Sequence, residues 1–106
     1  MKNNSYTVAV LGAGNIGSAV ISRLLNLDNE VININLSKVL VSDSTKDRDF
    51  DSNLVTEDFN EIANDENIDL VIEVLGGVEP GKEYIKELLQ KGKSVITANK
   101  DIIADC

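Results

Sequence analysis

An α/β fold built on a doubly wound parallel sheet is what this chain predicts, and three observations carry that expectation. Short apolar runs alternate with segments of helical periodicity along most of the length. The run Asp69-Leu70-Val71-Ile72-Glu73-Val74-Leu75 is almost continuously apolar, the pattern of a strand covered on both faces. A Gly-x-Gly-x-x-Gly turn, Gly12-Ala13-Gly14-Asn15-Ile16-Gly17, joins the first apolar run to the first helical pattern.

The elements follow in order. A first strand is expected over Tyr6 to Leu11, and a first helix from near Asn15 to near Asn26 with Ile16, Val20, Leu24 and Leu27 on one face. Residues 28–36 alternate apolar and polar, which fits an extended connection or an irregular strand. Lys38 to Val41 reads as the second strand, ending at Ser42-Asp43, and residues 44–53 read as a charged, solvated loop. Thr56 suits a helix N-cap with Glu57 and Asp58 in the first turn, followed by a short helix burying Phe59, Ile62 and Ala63. The third strand, Asp69 to Leu75, is broken by Gly76-Gly77. Pro80 suits the first position of the next helix, with Tyr84, Ile85, Leu88 and Leu89 inward, Glu87 and Lys91 outward, and Gly92 as its stop. Ser94 to Thr97 is a fourth strand, and Asn99 to Asp105 resembles the opening of another helix. Short connections between such elements make residues 1–106 one domain, the first portion of a doubly wound, Rossmann-like sheet with strand order 3-2-1-4.

Composition narrows the function. The net charge of -8 argues against nucleic acid as a partner, because duplex binding depends on Lys and Arg neutralising phosphates. No apolar run reaches membrane-spanning length, and the polar start Met1-Lys2-Asn3-Asn4-Ser5 lacks the features of a signal peptide. Cys106 is the single cysteine, so no internal disulfide is possible and a cytoplasmic setting is expected. Histidine is absent, which excludes Ser-His and Cys-His nucleophilic pairs and any His-based metal site; no metal is expected.

In sheets of this kind ligands sit outside the carboxyl ends of the strands, at the point where strand order reverses. Gly12 there permits the tight turn, Gly14 lets backbone approach a diphosphate, and Gly17 lets the helix pack against the strand. The diphosphate would lie on the helix N-terminus. The competing reading is an ordinary glycine turn. Asp43 stands where an acid would accept hydrogen bonds from the adenosine ribose, 26 residues after Gly17 (43 − 17) against the usual spacing of about 20. It reads equally as a solvated loop aspartate. Lys46 and Arg48 suit a 2′-phosphate or a wet loop, leaving NAD or NADP open. Glu73 within an apolar run needs a partner or points into the crevice. Gly76 and Gly77 are candidates for the nicotinamide end, and Thr97-Ala98-Asn99-Lys100 brings a hydroxyl and an ammonium to the same end of the sheet.

The stretches Ile72-Glu73-Val74-Leu75-Gly76-Gly77-Val78-Glu79-Pro80 and Gly92-Lys93-Ser94-Val95-Ile96-Thr97-Ala98-Asn99-Lys100-Asp101-Ile102-Ile103-Ala104 resemble the cofactor domain of homoserine dehydrogenase. The Glu-x-x-Gly-Gly loop and the Thr-Ala-Asn-Lys turn, a helix apart, carry the likeness; it is weakest between Asp28 and Asn53. That family interconverts aspartate 4-semialdehyde and L-homoserine with NAD(H) or NADP(H) in amino-acid biosynthesis. The resemblance implies that Gly12, Gly14, Asn15, Ile16 and Gly17 hold the diphosphate; from their places at strand ends, Asp43, Thr97 and Lys100 join the expected cofactor-binding set. It further implies that Gly76 and Gly77 line the nicotinamide side and that Lys100 is the active-site lysine. Ser42 departs from the family's frequent arginine, which leans toward NAD. The family's following substrate and dimerisation domain has no counterpart before Cys106, so the expectation is a cofactor-binding domain with little turnover of its own. The amino-acid substrate would need that further domain. Self-association through the edge of the fourth strand and Ile102 and Ile103 is also expected. Two alternatives stand: a non-catalytic NAD(H)-binding or regulatory module, and a related dehydrogenase acting on another amino acid such as aspartate.

Overall fold

Alternating apolar runs and helical segments fold into five parallel strands with helices on both faces. The computed structural model describes residues 4–25, 32–46, 50, 52–75 and 80–97. The elements are β1 (Asn4–Leu11), α1 (Asn15–Leu25), β2 (Ile32–Leu40), β3 (Val55–Thr56), α2 (Phe59–Ala63), β4 (Leu70–Glu73), α3 (Gly81–Gln90) and β5 (Ser94–Thr97). The strands lie in the order β3-β2-β1-β4-β5. This is the expected 3-2-1-4 arrangement continued by one more strand. The outer place beyond β2 is held by the two residues of β3, too short to leave a periodic signal. The run read as the third strand is therefore β4, beside β1, and Ser94–Thr97 is β5, outside β4.

Strict alternation between two covered faces explains why the inner half of β1, Val8 to Leu11, is apolar throughout. Ala9 and Leu11 face one side, where Leu40 and Val71 join them under Phe59, Ile62 and Ala63 of α2 and Leu88 of α3. Val10 faces the other side, with Val39 and Val41 under Ile21 of α1. Both faces are covered, so neither can carry the polar residues an exposed face would need. Ile21 is the described α1 side chain that reaches the core, at 1% exposure, with Val20 packed beside it. It was absent from the expected face. The side chains of Ile16, Leu24 and Leu27 lie outside the described residues.

The middle of the chain differs from expectation for a local reason. Val8 pairs with Leu36 and Ala9 with Lys38, leaving Ser37 as the extra residue of a bulge. Leu36 and Val39 thus both pack on the α1 side although they are three apart, so a single alternation cannot run through β2. The strand consequently reaches back to Ile32, settling residues 32–36 as strand. Lys38, on the opposite face, pairs with Glu61 of α2 at 3.6 Å.

Thr56 is not the cap of α2. Its carbonyl accepts from the Val41 N–H at 2.9 Å, which draws it into the sheet. Asp58 caps instead, accepting from the Asn60 N–H at 2.9 Å. The helix then buries Phe59, Ile62 and Ala63 as expected. Phe59 stacks on Tyr84 of α3 with ring centroids 3.9 Å apart. Pro80 occupies the N-cap of α3. At the other end the Gly92 N–H donates to Leu89 O (3.0 Å) and the Lys93 N–H to Leu88 O (3.0 Å), the paired bonds of a Schellman stop. Leu88 is fully buried, whereas Leu89, expected inward, is 57% exposed, about 100° further round the helix. Buried Lys93 donates through Nζ to the carbonyls of Asp65 and Ile68, tying the approach to β4 to the end of α3. Among the described residues no helix is long and apolar enough to cross a membrane, and no cluster of side chains has the makings of a metal site.

Candidate dinucleotide site

The carboxyl end of β1 is held on both sides before the chain leaves the sheet. The Gly12 N–H donates to Leu40 O at 2.8 Å, and the Val74 N–H donates to Leu11 O at 3.0 Å. The chain then turns at Gly12, whose φ of 107° is left-handed territory and whose absent Cβ would meet Val74 O at 3.1 Å. Gly17 is required by a closer approach still. A Cβ there would stand 2.5 Å from Gly12 O and 2.9 Å from Gly12 C, so α1 packs directly onto the turn.

Gly14 differs from both. No atom lies within 4 Å of a Cβ built on it, its φ lies outside the left-handed region, and it is exposed. Neither packing nor backbone conformation calls for glycine at this position. Open space beside the start of a helix does, if something must come close to the backbone. The Gly14 carbonyl accepts the Ser18 N–H at 2.7 Å, the first bond of α1, while Ser18 Oγ donates to Ala13 O at 2.9 Å. The first-turn N–H groups of Asn15, Ile16 and Gly17 have no acceptor within the helix and carry the positive end of its dipole. The first turn of α1 has no acidic residue to neutralise that end, whereas those of α2 and α3 hold Glu61 and Glu83. The side chains of Asn15 and Ile16 lie outside the described residues.

A groove of ≈ 290 Å³ runs past this turn, walled by Gly12–Gly14, by Leu40–Ser42, by Lys46 and by Val74–Leu75. It lies at the carboxyl ends of β1, β2 and β4, where a doubly wound sheet binds its ligand. Its lining suits a dinucleotide diphosphate: backbone N–H donors at the start of α1 and no Cβ at Gly14. A larger cavity of ≈ 480 Å³ lies at the opposite end of the strands, near Asn64, Asp69 and Lys93. It is lined by the C-terminal ends of α2 and α3, at Asn64 and at Lys91 and Gly92, where a helix presents carbonyls, so volume is a poorer guide here than donor chemistry.

The remaining sequence candidates separate. Ser42 and Lys46 line the groove, whereas Asp43 does not; its Oδ1 accepts from the N–H and hydroxyl of Thr45 at 2.9 and 2.5 Å. Next to it, the Ser44 N–H and then the Ser44 hydroxyl donate to Glu57, both at 2.7 Å, and hold that carboxyl below its ordinary pKa. Arg48, Gly76, Gly77 and Lys100 lie outside the described residues, as do Ile102, Ile103 and the helix expected over Asn99 to Asp105. Of the two readings of Glu73, the structure shows the partnered one. Glu73 is fully buried on the α2 and α3 side of the sheet; Oε2 accepts from the Leu75 N–H at 2.8 Å and Oε1 from the Thr97 hydroxyl at 2.5 Å. Thr97 thus turns its hydroxyl to Glu73. Sequence reasoning missed this link and the groove walls at Val74 and Leu75. The alternation Val71, Glu73 was the available signal for the side Glu73 faces.

Comparison with known proteins agrees with this geometry. Residues 12–106 match the family described as homoserine dehydrogenase, NAD binding domain. The homoserine dehydrogenase of Bacillus subtilis is 36% identical over 104 residues, covering 92% of this chain and 24% of that protein. The crystal structure of Staphylococcus aureus homoserine dehydrogenase superposes with a TM-score of 0.81 at 36% identity, over 94% of this chain and 27% of that one. That of Thiobacillus denitrificans gives a TM-score of 0.85 at 28% identity, over 96% of this chain and 25% of that one. The chain thus spans about a quarter of the length of these relatives. It belongs to the family of homoserine dehydrogenase NAD-binding domains.

Proposed function

We propose that this chain is the cofactor-binding part of an oxidoreductase interconverting aspartate 4-semialdehyde and L-homoserine, with NAD(H) or NADP(H) bound along the groove. The observation that carries this reading is Gly14, a glycine no protein contact requires, beside a helix N-terminus with no acid in its first turn. The backbone from Gly14 to Gly17 receives the diphosphate there, with Asn15 and Ile16 contributing main-chain donors. Gly76 and Gly77 line the nicotinamide side; Asp43, next to the groove wall at Ser42, belongs to the adenosine ribose end, and Thr97 serves the set through its hydroxyl bond to Glu73. When bound, the nicotinamide supplies or accepts the hydride. Lys100 faces the substrate carbonyl; its ammonium stabilises the developing alkoxide and delivers a proton to it. With no histidine in the chain, a lysine is the natural group for that work.

Lys46 at the groove edge suits a 2′-phosphate, while the Ser42-Asp43 end of β2 suits a free ribose, and the titration below ranks the two. The substrate's amino and carboxyl groups need residues beyond this chain, since hydride transfer requires both reactants held at near-attack distance. A cytoplasmic setting fits the single cysteine.

Calorimetric titration of the chain with NAD⁺ and NADP⁺, followed by addition of L-homoserine, tests the assignment. Saturable binding without turnover is expected. Absence of binding would overturn the cofactor assignment, and clear turnover would overturn the division of labour.

A further inference from the structure

An ionised carboxylate in a parallel sheet is costly unless its oxygens are met by donors. Glu73 is 0% exposed, and in register it sits between Leu11 of β1 and Thr97 of β5. Its two donors come from different places. The Leu75 N–H belongs to the chain leaving β4, and the Thr97 hydroxyl to the last residue of β5. Leu75 immediately precedes Gly76-Gly77, and Thr97 stands three residues before Lys100 (100 − 97). One buried side chain therefore fixes the departure points of the two segments that carry the nicotinamide-side glycines and the active-site lysine.

We propose that Glu73 is a positioning residue for the nicotinamide side of the site, setting the take-off of both segments through Leu75 and Thr97; this rests on the dinucleotide reading above. The chemistry suits the role. A carboxylate only accepts, and its two oxygens receive one N–H and one O–H. Glutamine can reproduce the geometry: its amide oxygen accepts from Leu75 while its NH₂ donates to a Thr97 hydroxyl turned to receive it. Alanine cannot, and leaves both donors without their acceptor. The diphosphate cradle has holds of its own, the Gly12 N–H on Leu40 O and the Ser18 N–H on Gly14 O, although Leu75 packs against Gly12 and lines the same groove.

The test is a comparison of ligands and of variants in this chain. Wild type, Glu73→Ala, Glu73→Gln and Thr97→Val are each titrated with NAD⁺ and with ADP-ribose, which lacks the nicotinamide. Glu73→Ala is expected to weaken NAD⁺ about tenfold, because the two segments lose their fixed take-off and must be ordered on binding, while ADP-ribose, held mainly at Gly14 to Gly17, loses clearly less. Thr97→Val should show a smaller loss of the same selectivity, and Glu73→Gln should recover most of the affinity. Equal losses for both ligands, or no loss in either Glu73→Ala or Thr97→Val, would overturn the proposal. Thr97→Val carries the test if Glu73→Ala does not fold. Hydrogen exchange at the Leu75 amide keeps it separate from the cofactor assignment. Should wild type bind neither ligand, faster Leu75 exchange in Glu73→Ala with recovery in Glu73→Gln would still support the link. Unchanged exchange would refute it.

Discussion

Gly14 and Gly17 are two residues of one motif, yet the structure gives them opposite consequences. At Gly17 an added Cβ would stand 2.5 Å from Gly12 O, 2.9 Å from Gly12 C and 3.2 Å from Val74 Cγ2. Relief requires α1 to withdraw from the turn by most of an ångström. Overpacking of that kind costs about 1–3 kcal/mol. In a domain of this size it lowers Tm by roughly 5–20 °C. At Gly14 nothing lies within 4 Å, so the only stability cost of a larger residue is a poorer N-cap, at most about 1 kcal/mol. Thermal melts of Gly17→Ala and Gly14→Val, each without and with saturating NAD⁺, read both consequences. Gly17→Ala is expected to melt well below wild type. Gly14→Val should melt within a few degrees of wild type but lose the stabilisation by NAD⁺, because its side chain fills the cradle. A Gly14→Val chain that NAD⁺ still stabilises like wild type would refute the reasoning, as would a Gly17→Ala chain with an unchanged Tm.

Three further outcomes follow from particular contacts. Because Ser44 holds the Glu57 carboxyl below its ordinary pKa, Glu57 contributes stability above the unfolded value and loses it as pH falls through the folded one. The Tm difference between wild type and Glu57→Ala should therefore shrink on acidification; a difference that grows would contradict the sign. Lys46→Ala should weaken NADP⁺ by about tenfold and NAD⁺ by much less if Lys46 meets a 2′-phosphate, and equal effects in calorimetry would exclude that contact. β5 is an edge strand among the described residues and Ile96 on it is 55% exposed, so sedimentation across a dilution series should show self-association that Ile96→Lys reduces. A monomer at every concentration would count against that edge as a contact surface.

Local chemistry made the frame legible and distant pairing did not. The glycine turn, the apolar runs at β1 and β4 and the Gly92 stop each act within a few residues, so sequence spacing reports them directly. The bulge at Ser37 shifts the parity of β2, and no single period describes the strand that results. Thr56 and Asp58 are both good caps by composition; a bond from Val41, 15 residues earlier (56 − 41), draws Thr56 into the sheet and leaves the helix to Asp58. The fate of Glu73 depends on Thr97, 24 residues away, a partner only the β4 and β5 register brings close. At the site, the turn was legible because glycines answer to backbone geometry. The groove walls at Ser42, Lys46, Val74 and Leu75 were harder to read because they depend on how three strand ends meet.

The most direct test of where the dinucleotide binds is an amide chemical-shift titration of this chain with NAD⁺. The largest shifts are expected at Gly12, Gly14, Gly17, Ser42, Val74 and Leu75, with little change around Asn64, Asp69 and Lys93. Shifts concentrated at that opposite end of the strands, or none at saturating cofactor, would contradict that placement.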